Sequence, residues 1–393
     1  MVEYLGQRPL RRRATPPEAQ AASVAGRIDW VLMIAVVALV GFGLWAIEGI
    51  TRHDIPGDPS YYLVRQGIFA AIGLGLMVVV LAIDPRWYLR WKAGVYGVML
   101  GLMALVFVAG EVARGSRRWI DLSFFRFQPA ELGKVLFVLF VAAFLADRAK
   151  RVEEATTPLA AVALSLPPIV LIFAQPDIGT ALVYVAALGA CLLVSGARWL
   201  HLAILGAVGV LLATAVFWLL PSLGLQVLKP YQVARLTGFT NPDEDPQGST
   251  YNVRQSITAV GAGGFDGLGV EGATQTSLDY LPEHATDFAF ASLAEQRGFV
   301  GAASLLLLYL LVVWRGLKIV VRASDAFSAV AAAGIVLAFA FQVFVNVGMT
   351  IGVAPVTGIT LPFVSVGGSS LVSNLVAMGV LQAIHMRGRG ARR

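Results

Sequence analysis

Residues 29–47, DWVLMIAVVALVGFGLWAI, decide the fold class, because every residue after Asp29 is apolar or glycine. A helix of about 20 residues crosses a hydrocarbon core about 30 Å thick. A cleavable signal peptide has a shorter apolar core of roughly 7–15 residues, so we interpret this segment as a retained anchor. Residues 1–28 are basic and then rich in Pro and Ala, which predicts a disordered tail.

The composition of the whole chain extends this interpretation. Of its 393 residues, 57% are hydrophobic and 14% are charged, whereas a soluble domain has about 25% charged residues. The single cysteine, Cys191, lies in an apolar run and excludes both a disulfide framework and a thiolate metal cluster. The net charge of +6 comes mostly from arginine, which in a membrane protein points to orientation signals and not to nucleic acid.

Ten apolar segments are long enough to span a membrane, and runs of this length favour helices over barrel strands. We therefore predict an all-α integral membrane protein with about ten transmembrane helices, forming a membrane domain of residues 29–386 before a basic tail of residues 387–393. The predicted spans are 30–48, 66–83, 93–110, 131–146, 158–174, 178–195, 199–220, 298–314, 327–350 and 364–385.

Lysine and arginine in the short connections predict the orientation. With ten spans these residues all fall on one side, which the positive-inside rule makes cytoplasmic, so both termini are expected in the cytoplasm. The residues are Arg11, Arg12, Arg13, Arg86, Arg90, Lys92, Arg148, Lys150, Arg151, Arg315, Lys318, Arg322, Arg387, Arg389, Arg392 and Arg393.

Two loops on the outer side depart from this pattern. Loop 111–130 contains four arginines where the rule expects few. Loop 221–297, a large extracytoplasmic loop between helices 7 and 8, has about 75 residues. Because a connection of that length in a compact bundle is usually functional, we expect the chemistry on the outer side.

Charges at the outer side suggest an anionic ligand. Arg118 and Trp119 lie in loop 111–130, where a guanidinium group suits phosphate and an indole face suits a sugar or lipid. The alternative is an interfacial tryptophan with solvated arginines. Lys134 follows Glu131 by three residues in the fourth span, and such charges usually mark a site or a pathway. The alternative is an i,i+3 ion pair whose lysine reaches the outer interface.

Other segments carry structural signals. Pro167-Pro168 is expected to interrupt the fifth span, and Asp177 is expected to cap the sixth. Residues 252–260, NVRQSITAV, have helical spacing, and 261–269, GAGGFDGLG, predicts flexible or closely packed backbone. Polar residues of spans nine and ten predict helix packing. These are Gln342, Asn346, Ser365, Ser369, Ser370, Ser373 and Asn374.

Residues 281–291, LPEHATDFAFA, place charges at the start of the eighth span. The carboxylate of Asp287, next to two phenylalanines, is expected to be partly desolvated and so to suit a general base acting on a hydroxyl. Glu283 and His284 are candidates to tune it. A capping role for Thr286 and Asp287 is the alternative, and spacing alone leaves both open.

Five stretches together resemble the SEDS family, the polytopic enzymes RodA and FtsW that polymerise peptidoglycan. In chain order they are SRRWIDLSFFRFQPAELGK, QPDIGTAL, the run from YQVARL through DPQGSTY to QSITAVGAGGFDGLG, LPEHATDFAFA, and NVGMTIGVAPVTGITLPFVSVGGSSL. The resemblance extends from about residue 30 to residue 386.

The resemblance implies an inverting glycosyltransferase that joins lipid II disaccharides into β-1,4 glycan strands and releases undecaprenyl diphosphate. Asp287 is then the catalytic group that takes the proton of the acceptor's 4-hydroxyl. Cationic residues would stabilise the charge on the diphosphate. The expected substrate-binding residues are Arg118, Trp119, Gln128, Glu131, Lys134, Arg254, Gln255, Glu283 and Thr286.

The resemblance also implies partners and a location. The family works with a class B penicillin-binding protein at the bacterial cytoplasmic membrane, faces outward, and acts on lipid II and the nascent glycan strand. No tightly bound cofactor and no nucleic acid are implied; a divalent cation, Mg or Mn, is compatible with the diphosphate, with unknown ligands. The wording of FQPAELGK and GMTIGVAPVTG favours the elongation enzyme RodA over the division enzyme FtsW. A lipid II flippase and a non-catalytic scaffold are the alternatives from other functional classes.

Three positions depart from the family pattern. The histidine that relatives carry directly before the Thr of TDF is Ala285 here, and His284 lies one residue earlier. The usual acidic pair before the next glycine reads EQR at 295–297, and the usual tyrosine before the Gly-Gly of span ten is Val366. The role of the imidazole is therefore open.

Overall fold

A computed structural model describes residues 26–113, 116–122, 125–224, 233 and 250–390. Within that part, nine helices are long and apolar enough to cross a membrane, so the chain is a multi-pass membrane protein, as predicted. Most of the predicted N-terminal tail, with Arg11, Arg12 and Arg13, lies outside the described residues. So do most of the first part of loop 221–297 and the C-terminal Arg392 and Arg393.

The described helices are, in chain order, α1 (Trp30–Ile50), α2 (Tyr61–Ala82), α3 (Pro85–Arg90), α4 (Lys92–Ala109), α5 (Pro129–Asp147), α6 (Thr156–Ala174), α7 (Ile178–Ser195), α8 (Trp199–Thr214), α9 (Tyr251–Ala262), α10 (Gly269–Gly272), α11 (Thr274–Ser277), α12 (Ala289–Arg322), α13 (Ala326–Thr350) and α14 (Gly368–Gly390). Helices α5, α13 and α14 are mostly buried and form the centre of the bundle, whereas α4 is mostly exposed.

The predicted seventh span is covered by helix of mixed type. Its α-helical part, α8, has 16 residues. A π-helical turn at Ala215–Leu219 and a last α turn at Leu220–Ser222 continue it. The α part alone is shorter than a typical span of about 20 residues, and the added turns supply the remaining length.

Aspartates fix several helix starts. The side chain of Asp29 accepts a hydrogen bond from Leu32 N at the start of α1, and that of Asp325 accepts one from Ser328 N at the start of α13. Asp177 does the same for α7, where its Oδ1 accepts from Thr180 N at 3.1 Å, so the predicted cap is confirmed. Each carboxylate satisfies a backbone N–H that would otherwise lack a partner.

Ion pairs gather the basic connections at one end of the bundle. Arg315 in the C-terminal third of α12 pairs with Asp29 before α1, with Nη2 2.5 Å from Oδ2. Lys92 pairs with Asp147, and Arg387 pairs with Asp84. Because these pairs join the N-terminal end, three connections and the C-terminal helix, the basic loops share one side of the molecule, as the charge pattern predicts.

Loop 111–130 contains a small antiparallel sheet that the sequence did not predict. Its strands are β1 (Glu111–Ala113), β2 (Ser116–Asp121) and β3 (Arg126–Phe127), in the order β1-β2-β3. The register pairs Glu111 with Trp119 and Asp121 with Arg126. This sheet gives the arginine-rich outer loop a fixed backbone directly before α5.

The expected interruption of the fifth span at Pro167-Pro168 is wrong, because α6 continues through both prolines. A proline in a helix leaves the carbonyl four residues earlier without its N–H partner. For Pro168 that carbonyl belongs to Leu164, and the Tyr96 hydroxyl of α4 donates to it at 2.8 Å. A neighbouring helix thus supplies a missing donor, which helps the helix to remain continuous.

The glycine-rich stretch 261–269 is closely packed, one of its two predicted states. A Cβ at Gly263 would lie 2.0 Å from Ala294 O, and one at Gly267 would lie 2.4 Å from Gln296 O. Opposite this stretch, α12 breaks at Gly298, which has φ 61° and ψ −163°. The amides of the two residues after the break, Phe299 and Val300, donate to carbonyls of the glycine-rich stretch. The eighth span therefore consists of an outer segment and a spanning segment joined at one glycine.

Candidate active site

The buried charges of the fourth span form an ion pair. Lys134 Nζ donates to Glu131 Oε2 at 2.8 Å, and both residues are at least nine-tenths buried. They line a small open cavity of about 30 Å³ among α5, α13 and α14, which Gln342 and Asn374 also line. The ion pair expected from the i,i+3 spacing is present, but it faces the bundle interior and not the outer interface.

A second polar cluster lies where β2 meets the start of α7. The Arg118 guanidinium lies over the Trp119 ring, with Cζ 4.5 Å from the centroid, and its Nη1 is 3.6 Å from Asp177 Oδ2. Gln128 Nε2 donates to the same oxygen at 2.9 Å. Arg118 Nε is buried and finds no hydrogen-bond partner among the described residues. The cluster therefore keeps one unused cationic donor, which suits an anionic ligand.

Asp177 does more than the sequence predicted. One carboxylate oxygen caps α7, while the other receives Arg118 and Gln128. The residue thus sets the position of two predicted substrate-binding side chains. Its place in QPDIGTAL, one of the stretches that carry the resemblance, was the signal available in the sequence.

The segment that carries the predicted base is held through its main chain. Four successive carbonyls, those of residues 284–287, each accept a hydrogen bond from a different donor. In order these are Ser292 Oγ at 3.2 Å, Val366 N at 2.8 Å, Ser365 Oγ at 2.5 Å and Asn346 Nδ2 at 2.9 Å. The backbone is therefore fixed at every residue of the segment.

The carboxylate of Asp287 is half-buried. Helix α12 begins at Ala289 with Phe288 as its N-cap, so Asp287 does not occupy the capping position of the alternative reading. Thr286 Oγ1 donates instead to Glu283 Oε2 at 2.9 Å. Glu283, Thr286 and Asp287, all predicted site residues, therefore lie within five residues of one another, directly before the start of α12.

Asn346 and Ser365 were predicted only as helix-packing residues, and this interpretation is incomplete. Asn346 Nδ2 donates to Asp287 O and also to Ile359 O, the latter at 2.7 Å. Ser365 Oγ donates to Thr286 O and accepts from Leu361 N at 2.8 Å. Both side chains therefore position the segment before α12, and this long-range pairing has no local signal in the sequence.

The segment between α13 and α14 lies close to both the start of α7, which follows Asp177, and the carboxylate of Asp287. Gly358, with φ 73°, approaches the site so closely that a Cβ there would lie 3.4 Å from Asp287 Oδ2. A Cβ at Gly179, in the first turn of α7, would lie 2.5 Å from Thr357 O. The Asp177 end of α7 and the Asp287 carboxylate therefore both lie close to residues 357–358.

Two further predicted residues lie on α9, whose predicted helical structure is confirmed. The helix packs on α12 and α13 through its buried face, and Ser256 Oγ donates to Thr350 O at 2.8 Å. Arg254 lies on the exposed face, and Gln255 is half-buried. The structure thus places Arg254 at the protein surface and not in the packed face of α9.

His284 is buried between two carboxylates. Its Nε2 lies 2.9 Å from Asp54 Oδ1 in the α1–α2 loop, and its Nδ1 lies 3.6 Å from Asp279 Oδ1. The three side chains each place a possible metal ligand within 4.8 Å of the others. A metal ion binds only one nitrogen of an imidazole ring, and here the two carboxylates face different nitrogens. We therefore interpret this group as an ion-paired histidine.

The pKa of His284 is raised above 6.5. Burial alone would lower it, but the hydrogen bond and charge of Asp54, the charge of Asp279 and a main-chain hydrogen bond at Leu281 outweigh that cost. Each of these contacts stabilises the protonated ring.

Comparisons with known proteins agree with the resemblance. The family of FtsW, RodA and SpoVE, described as cell cycle protein, matches residues 27–390. Stage V sporulation protein E of Bacillus subtilis is 36% identical over 90% of this chain and 95% of its own length. Peptidoglycan glycosyltransferase MrdB of Escherichia coli is also 36% identical, over 91% of this chain and 93% of its own.

A solved structure shares the fold. A chain from a peptidoglycan synthase complex, studied for its coordination of polymerization and crosslinking, superimposes with a TM-score of 0.77 at 32% identity. The match covers 92% of this chain and 98% of that one.

Proposed function

This chain belongs to the FtsW, RodA and SpoVE family, and from that membership we propose that it is a peptidoglycan glycosyltransferase. It joins lipid II disaccharides into β-1,4 glycan strands and releases undecaprenyl diphosphate. The relatives named as peptidoglycan glycosyltransferases align along nearly their whole length, which supports the same activity here.

We propose Asp287 as the general base. The observation that carries this role is the fixed backbone of residues 284–287. It holds the carboxylate beside the close approach of Gly358. A positioned base of this kind typically contributes about 10²–10⁴-fold to the rate. Asp287 takes the proton of the acceptor's 4-hydroxyl, whose oxygen attacks the anomeric carbon of the donor. The configuration inverts from α to β, and the lipid diphosphate leaves.

The cationic residues stabilise the leaving diphosphate. Arg118 supports this role through its buried Nε, which has no partner among the described residues. Lys134 has three N–H donors, one of which goes to Glu131, and the residue lines the cavity. Arg254 at the outer surface of α9 is the third candidate. Preorganised donors of this kind act where charge develops in the transition state.

The acidic side chains near the diphosphate site, within the part of the chain that the structure describes, bear on the divalent cation. The acidic side chains beside the cationic donors, Glu131 and Asp177, are already paired with Lys134 and Arg118. We therefore propose Mg or Mn only as an ion brought on the diphosphate oxygens, and no step is assigned to it.

We propose that the site faces the outer side of the bacterial cytoplasmic membrane and that a class B penicillin-binding protein is the partner. The gathering of basic connections at the opposite end supports the orientation. The similar chain in a peptidoglycan synthase complex supports the partner.

We also propose an elongation role of the RodA type, which the wording of FQPAELGK and GMTIGVAPVTG supports. Depletion from the native cell should then give rounded cells. Filamentous cells would instead assign the division role of the FtsW type.

Polymerisation of labelled lipid II by the purified protein, with and without the transpeptidase partner, tests the enzymatic proposal. The wild type should give a ladder of glycan products, and Asp287→Asn should give none. Asp266→Asn, which removes an exposed carboxylate from the same outer side, is the matched control and should retain the ladder. Full polymerisation by Asp287→Asn would favour a scaffold role or a different base.

A lipid II flippase is the alternative from another class. One of its two supports, a broken fifth helix, is absent because α6 is continuous. The cavity at Lys134 is the remaining support. Transport of labelled lipid II without formation of polymer would favour the flippase.

A further inference from the structure

We propose that Asp54 and His284 form a positioning pair for the catalytic segment, in which the protonated imidazole ties residues 284–287 to the α1–α2 loop. This inference rests on the proposed role of Asp287. It assigns a role to the displaced histidine and to a carboxylate that the predicted site did not include.

The first support is the geometry of the ring. Nε2 of His284 is hydrogen-bonded to Asp54 Oδ1 at 2.9 Å, and Nδ1 lies 3.6 Å from the carboxylate of Asp279, within ion-pair range. A neutral imidazole has one N–H, whereas the imidazolium has two. The arrangement therefore fits the protonated ring, and the ring is 8% exposed, which limits competition by water.

The second support is the part of the fold to which the Asp54–His284 pair joins the catalytic segment. The donors to the carbonyls of residues 284–287 come from α12, α13 and the approach to α14. The Asp54–His284 pair joins the same segment to the loop after α1, from which none of those donors comes. The pair therefore adds a restraint that the main-chain hydrogen bonds do not provide.

The third support is backbone strain directly before the segment. Asp279 has φ 55° and Glu283 has φ 56°, and neither is a glycine. Such residues cost on the order of 1–3 kcal/mol each and persist only where surrounding contacts hold them. His284 lies immediately after Glu283 and contacts Asp279, so the pair holds both ends of the strained turn.

The fourth support is that the outer part of α12 is fixed to the same end of α1. Gln296 Nε2 donates to Gly49 O at 3.0 Å, and the Arg297 guanidinium lies 4.1 Å from the centre of the Trp45 ring. The end of α1 and the loop after it therefore contact two parts of the chain. His284 contacts this region from the catalytic segment, and residues 296–297 contact it from α12.

The charged groups that face the ring define its pH dependence. These are Asp54 from the α1–α2 loop and Asp279 from its own segment. Because the pKa of His284 lies above 6.5, the pair is fully formed below that value and weakens as pH rises through the raised pKa. The rate of polymerisation should fall across the same range, because the tie between residues 284–287 and the α1–α2 loop weakens there.

The test uses the full-length protein with its transpeptidase partner and measures turnover, KM and the pH profile. Asp54→Asn should lower turnover by about 10–100-fold, a loss expected from a small misplacement of a catalytic group. KM for lipid II should be unchanged. The alkaline fall of the rate should move to lower pH, since the pKa of His284 drops when the neighbouring charge is removed. Asp54→Glu, which restores the carboxylate, should recover part of the turnover.

Two further variants make the outcome decisive. His284→Gln keeps a hydrogen-bond donor but cannot titrate, so its profile should lack the alkaline fall. Glu271→Gln removes the exposed contacts that Glu271 makes with Arg52 and His53 of the α1–α2 loop. This variant should match the wild type in turnover and pH profile. An alkaline fall that persists in His284→Gln would overturn the proposal, as would an Asp54→Asn variant equal to Glu271→Gln. Thermal unfolding of each variant shows whether a loss of activity reflects loss of fold. Failure of the wild type to polymerise lipid II would overturn the proposed function but not the Asp54–His284 pair. The pair would still be tested by the pH dependence of the free energy of unfolding.

Discussion

Asn346 joins Asp287 through a hydrogen bond of 2.9 Å from its side-chain amide to the main-chain carbonyl, across 59 residues of sequence. The same amide donates to Ile359 O at 2.7 Å. One buried side chain near the end of α13 therefore holds both the segment that carries the proposed base and the segment that contains Ile359. The position of the proposed base therefore depends on a side chain that lies 59 residues away in sequence.

Replacement of Asn346 tests this relationship. Asn346→Leu keeps a similar volume but leaves two carbonyls without their donor, so the free energy of unfolding should fall by about 1–3 kcal/mol. Turnover should fall more than this loss explains, because Asp287 shifts. Gln382→Leu is the control, since neither polar atom of that buried amide finds a partner among the described residues. It should keep stability and activity; equal effects of both variants would contradict the positioning role of Asn346.

Gly358→Ala tests the close approach to the base. A side chain at its φ of 73° costs about 1–2 kcal/mol, and the added methyl would contact Asp287 Oδ2. Both thermal stability and polymerisation should fall. Gly196→Ala introduces the same backbone strain at φ 88° at the C-terminal end of α7, where the nearest atom is 3.9 Å away. That control should lose stability alone. Equal activity of the two variants would show that the contact at Gly358 does not matter.

The buried pair of α5 offers a test that separates structure from substrate binding. Lys134→Met leaves Glu131 buried and unpaired, which should cost about 3–5 kcal/mol of stability. The double variant Glu131→Gln/Lys134→Met removes both charges and should recover most of that stability. Polymerisation should stay low in both, because the cationic donor is missing. A double variant that regains full turnover would show that Lys134 serves the fold and not the diphosphate.

Much of the architecture could be predicted from the sequence, because apolar length and positive charge are strong signals in membranes. The multi-pass fold, the cap at Asp177 and the helix at 251–262 are examples. The continuous helix through Pro167-Pro168 could not be predicted, since it depends on a tyrosine of another helix. The small sheet was missed for a related reason, as strands this short carry little periodicity.

The candidate site was predicted less completely than the fold. The charged residues stood out because they are rare in a chain of this composition. Asn346 and Ser365 look like ordinary packing residues in sequence, and their roles depend on partners 59 and 79 residues away. Pairing at such separations has no local pattern from which it could be predicted.

The break at Gly298 has a consequence for the response of the protein to its lipid surroundings. The bend is secured on both sides, since Phe299 N and Val300 N donate to Gly264 O and Phe265 O, and Leu268 N donates to Glu295 O. A bend held by hydrogen bonds on both sides is expected to keep its angle when the helix tilts. Bilayers of different thickness change the tilt of spanning helices. A change in the tilt of residues 299–322 is therefore expected to move residues 289–297, the outer segment of α12, as well. The acyl-chain length of the surrounding lipid is therefore expected to change the tilt of the outer segment of α12, while the hydrogen bonds to residues 284–287 hold the backbone of Asp287 in place.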